Sequence, residues 1–424
     1  MKNTEKVKKL RLMAEGQARQ YAGHFIAFLE WLFFGILLGL VAGVTGALFF
    51  YAIAGMTTVR MANPWIFYLL PVGGLIVAGA YHFADESTAE GTDCVIEAIR
   101  TPKDIPARMG LLIFFSTVAT HFFGGSAGRE GAALQIGGSM GYSVGRLFHM
   151  KDEDRHIVTM CGMAACFAAL FGTPLTAVVF VMEVVAVGNM QYAALVPCAA
   201  AALVGSSVAR VLRIAPTAFA ISCVPVLNLE SSVQTVVLAV LCAVLSAVFC
   251  GIMRGTGWLF RRFLPNTYLR AAVGGTMILL LTFLFGRNYI GMGGDGIAAA
   301  MQGHTEPAAF ALKLLFTAIT LGCGFRGGEI VPAFFVGSTF GCAMGGLLGL
   351  NQQFAASIGF MAMFCGITNC PITAFILSLE VFGKQGAAFY LIAAGISYML
   401  SGYSGIYKKQ QILFSKRSTF SRAG

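Results

Sequence analysis

The chain has 424 residues, of which 57% are hydrophobic and only 11% charged, with a mean hydropathy of +0.76. Soluble domains carry roughly 25% charged residues, so this composition excludes a cytosolic enzyme, a nucleic-acid module and a disordered chain. A bilayer is the solvent it requires. The net charge of +10 gathers at the two ends. Lys2, Lys6, Lys8, Lys9, Arg11 and Arg19 precede the first apolar run, and Lys408, Lys409, Lys416, Arg417 and Arg422 follow the last. Basic flanks stay on the cytoplasmic side. Both termini are therefore expected in the cytoplasm, with an even number of crossings in a multi-pass protein of the cell membrane.

In chain order, residues 1–24 read as a basic amphipathic helix on the inner membrane surface, too charged for a signal peptide. Apolar runs long enough for about 30 Å of hydrocarbon then cover Phe25–Ala54, Trp65–Phe83, Met109–Phe123 and Met190–Val211. Residues 213–228 read as a linker. Beyond it come Val236–Phe260, Ala271–Phe285, Ala308–Cys323, Ala333–Leu350 and Ala387–Leu400. Residues 403–424 are expected to form a C-terminal helix and a basic cytoplasmic tail. Between the runs lie shorter apolar pieces, Gly131–Leu147, Pro174–Val187, Phe354–Ile367 and Pro371–Phe382. Broken backbone cannot face lipid, so these pieces must be buried in protein or line a cavity. No ten-residue dyad alternation suggests a barrel; the reading is an all-α integral membrane protein. The eleven Cys are scattered through apolar segments and read as small hydrophobes, with no metal-ligand spacing.

An internal repeat carries the organisation. Gly162 leads through Pro174-Leu-Thr176-Ala177 to Glu183, and Gly359 leads through Pro371-Ile-Thr373-Ala374 to Glu380, with every matched position 197 residues apart. Upstream of each copy stands a Gly-rich break with an Arg and a Glu: Gly124-Gly-Ser-Ala-Gly128-Arg129-Glu130-Gly131 and Gly324-Phe-Arg326-Gly-Gly-Glu329. The first membrane repeat is placed at 25–212 and the second at 229–402. Paired interrupted segments in matching halves point to a transport site near the bilayer midplane.

A Gly-rich break that opens a helix presents free backbone N–H groups and the positive end of the helix dipole, which is an anion site. Glu130 stands in that place. Ionised, it satisfies the donors itself and competes with a diffusing anion; protonated, it vacates the site and carries a proton. The rival reading is a helix-start cap paired with Arg129. Glu329, before Ile330-Val331-Pro332-Ala-Phe334, is either a second functional carboxylate or the partner of Arg326. Intramembrane carboxylates cost roughly 2.5–3.5 kcal/mol on insertion scales. Glu183 and Glu380 read as scaffolding that binds backbone N–H groups of a neighbouring loop, with a proton path as the alternative. Tyr407 is either a hydrogen-bond donor to an anion or an interfacial tyrosine. Thr92 or Asp93 is expected to cap a short helix whose N–H groups join the anion site. Gly291-Met-Gly293-Gly-Asp-Gly296 reads as a loop.

At these residues the chain resembles the CLC family of anion channels and anion/proton exchangers, from about Phe25 to Tyr407. The marks are Gly128-Arg-Glu130-Gly131 with Gln135-Ile-Gly-Gly, Gly172-Thr-Pro174-Leu…Glu183, and Arg326-Gly-Gly-Glu329-Ile-Val-Pro332. The resemblance implies an inverted repeat of tilted, broken helices and a homodimer with one pathway per subunit. It implies that Glu130 is the external gate and proton carrier, and that Tyr407 coordinates the central anion. The remaining anion-binding groups would be backbone at Gly128, Arg129, Gly131, Ile330, Val331, Phe334 and Thr92, with Pro174 and Pro371 structural. Val184 stands where the chloride/proton exchangers carry an internal proton glutamate, and an acid at Glu329 is similar to the fluoride-exporting branch. That branch's threonine two residues later is Val331 here. The expected function is exchange of a halide, fluoride ahead of chloride, for protons; the alternative is a passive chloride channel gated by Glu130. Halide and protons are the cargo, with no resident cofactor, no nucleic acid and no enzymatic activity expected.

Overall fold

The computed structural model describes residues 2–84 and 91–416. It is 75% helical, with sixteen α-helices among the described residues. The first half holds α1 (Lys2–Ala62), α2 (Leu70–His82), α3 (Thr92–Ala98), α4 (Arg108–Phe123), α5 (Glu130–Leu147), α6 (Asp152–Phe171), α7 (Pro174–Glu183) and α8 (Leu195–Val211). The second holds α9 (Leu229–Phe263), α10 (Thr267–Phe285), α11 (Gly294–Ala300), α12 (Ala309–Gly322), α13 (Ile330–Leu348), α14 (Gln352–Thr368), α15 (Pro371–Phe382) and α16 (Ala387–Leu400). Helix for helix, the second series repeats the first. Seven helical segments of the described chain are long and apolar enough to cross a membrane, while α4, α7, α12 and α15 are apolar but shorter.

Packing repeats as faithfully as order does. α1 packs on α6 and α8 as α9 packs on α14 and α16, and α5 lies on α6 as α13 lies on α14. Between the halves, α2 meets α10, α5 meets α13 and α7 meets α15. Three helices thus touch their own counterparts, the arrangement a two-fold axis between the halves produces. Hydrogen bonds give the direction. The Glu183 carboxylate, at the C-terminal end of α7, accepts from the N–H groups of Ile372 and Thr373 at the start of α15, at 3.1 and 2.8 Å. Glu380, near the end of α15, accepts from Leu175 and Thr176 at the start of α7, at 3.0 and 2.7 Å. Such an exchange requires antiparallel neighbours, so the repeat is inverted.

Local chemistry explains the exchange. Pro174 and Pro371 stand in the first turn of their helices, where a missing N–H costs nothing. The next N–H groups remain orphaned, and in hydrocarbon water cannot serve them. The opposing glutamate does. What was expected to be a loop contact is thus a contact between helix ends.

Glycine sets how closely the paired helices approach. A Cβ at Gly137 of α5 would lie 2.2 Å from the carbonyl oxygen of Gly162 on α6, and one at Gly337 of α13 would lie 2.3 Å from that of Gly359 on α14. Small residues let backbones touch where lipid offers no hydrophobic drive for association. These pairs also reveal two registers. Gly137 and Gly337 are 200 residues apart, whereas Gly162 and Gly359 are 197 apart. The difference falls within α14, which has 17 residues against the 20 of α6.

Three expectations are corrected. The N-terminal segment 1–24 is no separate helix: α1 runs unbroken from Lys2 to Ala62, since no Pro or capping residue interrupts it. The side chains of residues 2–15 and 18 lie outside those described. Residues 403–416 form no C-terminal helix but an extended strap, because Gly402 adopts φ +63° after α16. The strap includes a two-residue strand, β2 (Gln411–Ile412), parallel to β1 (Ala186–Val187); residues 417–424 lie outside the described part. Finally, Gly291–Gly296 is not all loop. Gly293, at φ +84°, permits the left-handed turn from which Gly294 opens α11. The linker 213–228 carries no helix, and Phe219 N–H donates to Val381 O at 2.8 Å.

Candidate ion pathway

The two Gly-rich breaks meet. Gly128 N–H donates to Gly328 O at 2.7 Å and Gly328 N–H to Gly128 O at 2.8 Å, an antiparallel bridge between the starts of α5 and α13. The bridge satisfies two backbone pairs that hydrocarbon would leave bare. It also fixes the register at 200 residues, so Glu329 is the counterpart of Arg129, one place ahead of Glu130. The two acids occupy the same break without occupying equivalent positions. The Gly run had hidden that offset, since repeated Gly carries no register of its own.

Glu130 is 1% exposed. Its carboxylate folds back over its own helix start: Oε2 accepts from Arg129 N–H at 3.0 Å, and Oε1 lies 3.7 Å from Arg129 Nε. The second separation exceeds the roughly 2.7–2.9 Å of a charge-assisted hydrogen bond, so the guanidinium neighbours the acid without clamping it. Arg129 instead lays its guanidinium over the Phe50 ring, 4.4 Å from the centroid. A Cβ at Gly128 would come within 3.0 Å of Glu130 Oε2; glycine there leaves the carboxylate its seat. Placed at the first residue of α5, Glu130 occupies the position an anion at that helix end would take.

Glu329 faces a cavity of about 160 Å³, shared with Thr92, Asp93, Gln135, Arg326 and Tyr407. Tyr407 is 7% exposed, and its hydroxyl finds no hydrogen-bond partner among the described residues. A buried phenol normally has one. Here the donor is held available beside Glu329, its ring packed near Phe180. The strap fixes it there. Lys409 N–H donates to Asp93 Oδ1 at 3.1 Å, Lys409 Nζ reaches Glu97 at 2.8 Å, and Ile406 N–H donates to Ile367 O at 2.9 Å. Thr92 caps nothing. Its hydroxyl donates to Gly131 O at 3.3 Å and accepts from Gln135 Nε2 at 3.1 Å, because Gly91 already turns the chain into α3.

Of the residues singled out in the sequence, Thr92, Asp93, Arg326, Glu329 and Tyr407 line this cavity; Gly128, Arg129, Glu130, Gly131, Ile330, Val331 and Phe334 do not. Gly131 joins the two sets, since a Cβ there would lie 3.7 Å from Thr92 Oγ1 and 3.8 Å from Glu329 Oε2. Phe334 stacks flat on Phe360 with centroids 3.8 Å apart and contributes packing at this place. Arg326 lies over the Tyr81 ring at 4.0 Å. Val184 is fully buried at the end of α7. Sequence reasoning quoted Gln135 only as a mark of the resemblance and gave no role to this residue, which ties Thr92 to α5; it missed the basic residues Arg60 and Lys313. Lys313 was legible as a lone charge inside the run Ala308–Cys323. No group of three or more His, Cys, Asp or Glu suited to a metal occurs among the described residues.

Comparison with known proteins places this geometry. A family model described as voltage gated chloride channel matches residues 72–402. A chloride/fluoride channel protein of Pseudomonas syringae pv. tomato is 36% identical over 395 residues, covering 91% of this chain and 87% of that one. An H(+)/Cl(−) exchange transporter, ClcA, of Vibrio campbellii is 25% identical, covering 85% of this chain and 83% of its own length. A crystal structure of a CLC-type fluoride/proton antiporter superposes with a TM-score of 0.87 at 27% identity, covering 91% of this chain and 98% of that one. A slow cyanobacterial Cl−/H+ antiporter shares the fold with a TM-score of 0.75 at 21% identity, over 88% of this chain and 94% of its own. The inverted repeat, the paired breaks and these matches agree: the chain belongs to the CLC family of multi-pass membrane transport proteins.

Proposed function

We propose that this protein exchanges a halide for protons across the membrane, with fluoride preferred over chloride, through one pathway in each subunit of a homodimer. The observation that carries the reading is the pair of unlike carboxylates at one inter-half bridge: Glu130 seated on the start of α5, and Glu329 facing a cavity beside the unpartnered Tyr407 hydroxyl. Glu130 is the gate. Ionised, it fills the anion's place at the helix terminus; protonated, it leaves and takes a proton with it. Glu329 is the second proton-carrying carboxylate, and Tyr407 the donor that orients the halide. The likeness to a fluoride/proton antiporter structure and the relative whose name includes fluoride support the preference for fluoride. Both termini face the cytoplasm. No reaction is catalysed and no resident cofactor is needed.

The test is flux from reconstituted vesicles. With an outward fluoride gradient and an electrode for each ion, protons are expected to move inward against their own gradient, and an equal chloride gradient is expected to drive less. Halide efflux with no uphill proton movement would assign the chain to passive conduction instead.

A further inference from the structure

The halves line two different cavities with matched residues. Gly91–Asp93 and Gln135 border the Tyr407 cavity, and their counterparts Gly293–Asp295 and Phe335 border a second one of about 770 Å³. In an inverted repeat, counterparts lie on opposite sides of the midplane. The second cavity therefore opens on the side away from the strap. It is built from the end of α1, the loop before α11, α11 itself with the segment after it, and the N-terminal half of α13.

Its walls are rich in cations that lack ionic partners. Arg60 is 8% exposed; Nη1 donates to His121 O at 2.6 Å, and Nη2 lies 3.4 Å from where a Cβ on Gly291 would be. Arg287 lines the same cavity, close enough to repel Arg60. Among the described residues neither guanidinium forms an ion pair. Lys313, fully buried behind the loop, donates to the carbonyls of Tyr289 and Gly291 at 3.1 and 2.7 Å and holds the loop that carries them. The acids that border the cavity are Asp295, which is solvent-exposed, and Glu306, which accepts from the Tyr289 hydroxyl at 2.5 Å. Burying the Arg60 guanidinium away from carboxylates, with a second cation at the rim, is unfavourable unless an anion joins them. Arg60 also reaches toward the break that opens α5: its Nη1 lies 3.4 Å from where a Cβ on Gly124 would be, four residues before Gly128.

We propose that Arg60 and Arg287 hold a halide at the mouth on the Glu130 side, a loading station distinct from the Tyr407 cavity. It rests on the pathway carrying halide and not on whether protons are coupled to it. The anion waits between the two guanidiniums, concentrated by their field, until the seat at the start of α5 is free. A lipid phosphate shares this chemistry, and the test separates the two sources.

The experiment measures the halide concentration giving half-maximal flux in vesicles of phosphatidylcholine alone, and again with anionic lipid added. Arg60→Gln is expected to raise that concentration by about tenfold, the loss of one charge-assisted hydrogen bond. Arg287→Gln, on the exposed rim, is expected to raise it by about threefold, and Asp295→Asn to lower it by a similar factor. If Arg60→Gln does not fold, the two rim variants carry the test. Unchanged halide dependence in Arg287→Gln and Asp295→Asn overturns the station. So does flux that follows anionic-lipid content while its halide dependence stays that of the unaltered protein, which assigns the cations to a headgroup. Because the readout is halide dependence, it remains decisive even where proton movement fails to appear.

Discussion

The two helix breaks share one backbone and differ in what they do with an acid. At the first, Glu130 is the opening residue of α5 and turns back onto the N–H of Arg129 just before it. At the second, Glu329 precedes α13 by one residue and looks into a cavity. Equivalent frames, offset by a single position, give one carboxylate folded over its own helix start and one facing the cavity beside Tyr407. The difference teaches that the repeat supplies the scaffold and the offset gives the two acids different surroundings, from which the proposed division of labour follows.

The strongest way to break this comparison is to neutralise each acid in turn. Glu130→Gln is expected to abolish proton uptake in the vesicle assay while halide continues to flow. Glu329→Gln is expected to slow proton uptake by about tenfold, the effect of losing roughly 1.4 kcal/mol in the limiting step. Equal effects from both would show that the offset has no functional meaning.

The scaffold is tested next. Glu183 is buried and serves two N–H groups and the Thr373 hydroxyl, the latter at 2.5 Å; Glu380 makes the same bonds to α7 from a half-buried position. Glu183→Gln is expected to cost about 3 kcal/mol and Glu380→Gln about 1 kcal/mol, visible as unequal losses of Tm in detergent. Tyr407→Phe removes an unpartnered hydroxyl, so stability is expected to hold. Halide affinity, read by calorimetry, should fall about fivefold, the worth of one hydrogen bond of about 1 kcal/mol.

A smaller effect concerns the strap. Lys103 and Lys409 hydrogen-bond Glu97 and hold its carboxyl down from the ordinary 4.5 to about 2. A lowered carboxyl pKa stabilises the docked strap fully above the ordinary value and ceases to do so as the pH falls through the lowered one. Strap cleavage by an acid-stable protease is therefore expected to stay slow at pH 5 and to rise between pH 4 and pH 2.

Much of this architecture was legible because it rests on residues whose chemistry allows few readings. Pro174 and Pro371 can open helices but not sit within them. A carboxylate nine residues later inside an apolar run needs donors, and those donors proved to be the twin helix's first amides. Glu130 at a Gly-rich helix start was readable for the same reason. Other features depend on contacts that no local pattern encodes. The strap's course is set by Lys409 reaching Asp93 and Glu97, over three hundred residues away. The one-residue offset of Glu329 was masked by neighbouring glycines and by the shortening of α14. The cations around Arg60 gain meaning only when the loop at Tyr289–Gly293 folds against α1.

The crossed glutamates also impose an order on synthesis. When the first half leaves the ribosome, the Glu183 carboxylate has no donor and the opening amides of α7 have no acceptor, because their partners lie 189 to 205 positions further along the chain. The nascent first half thus waits in the translocon's neighbourhood with its central pair of helix ends unsealed, and only arrival of α15 closes it.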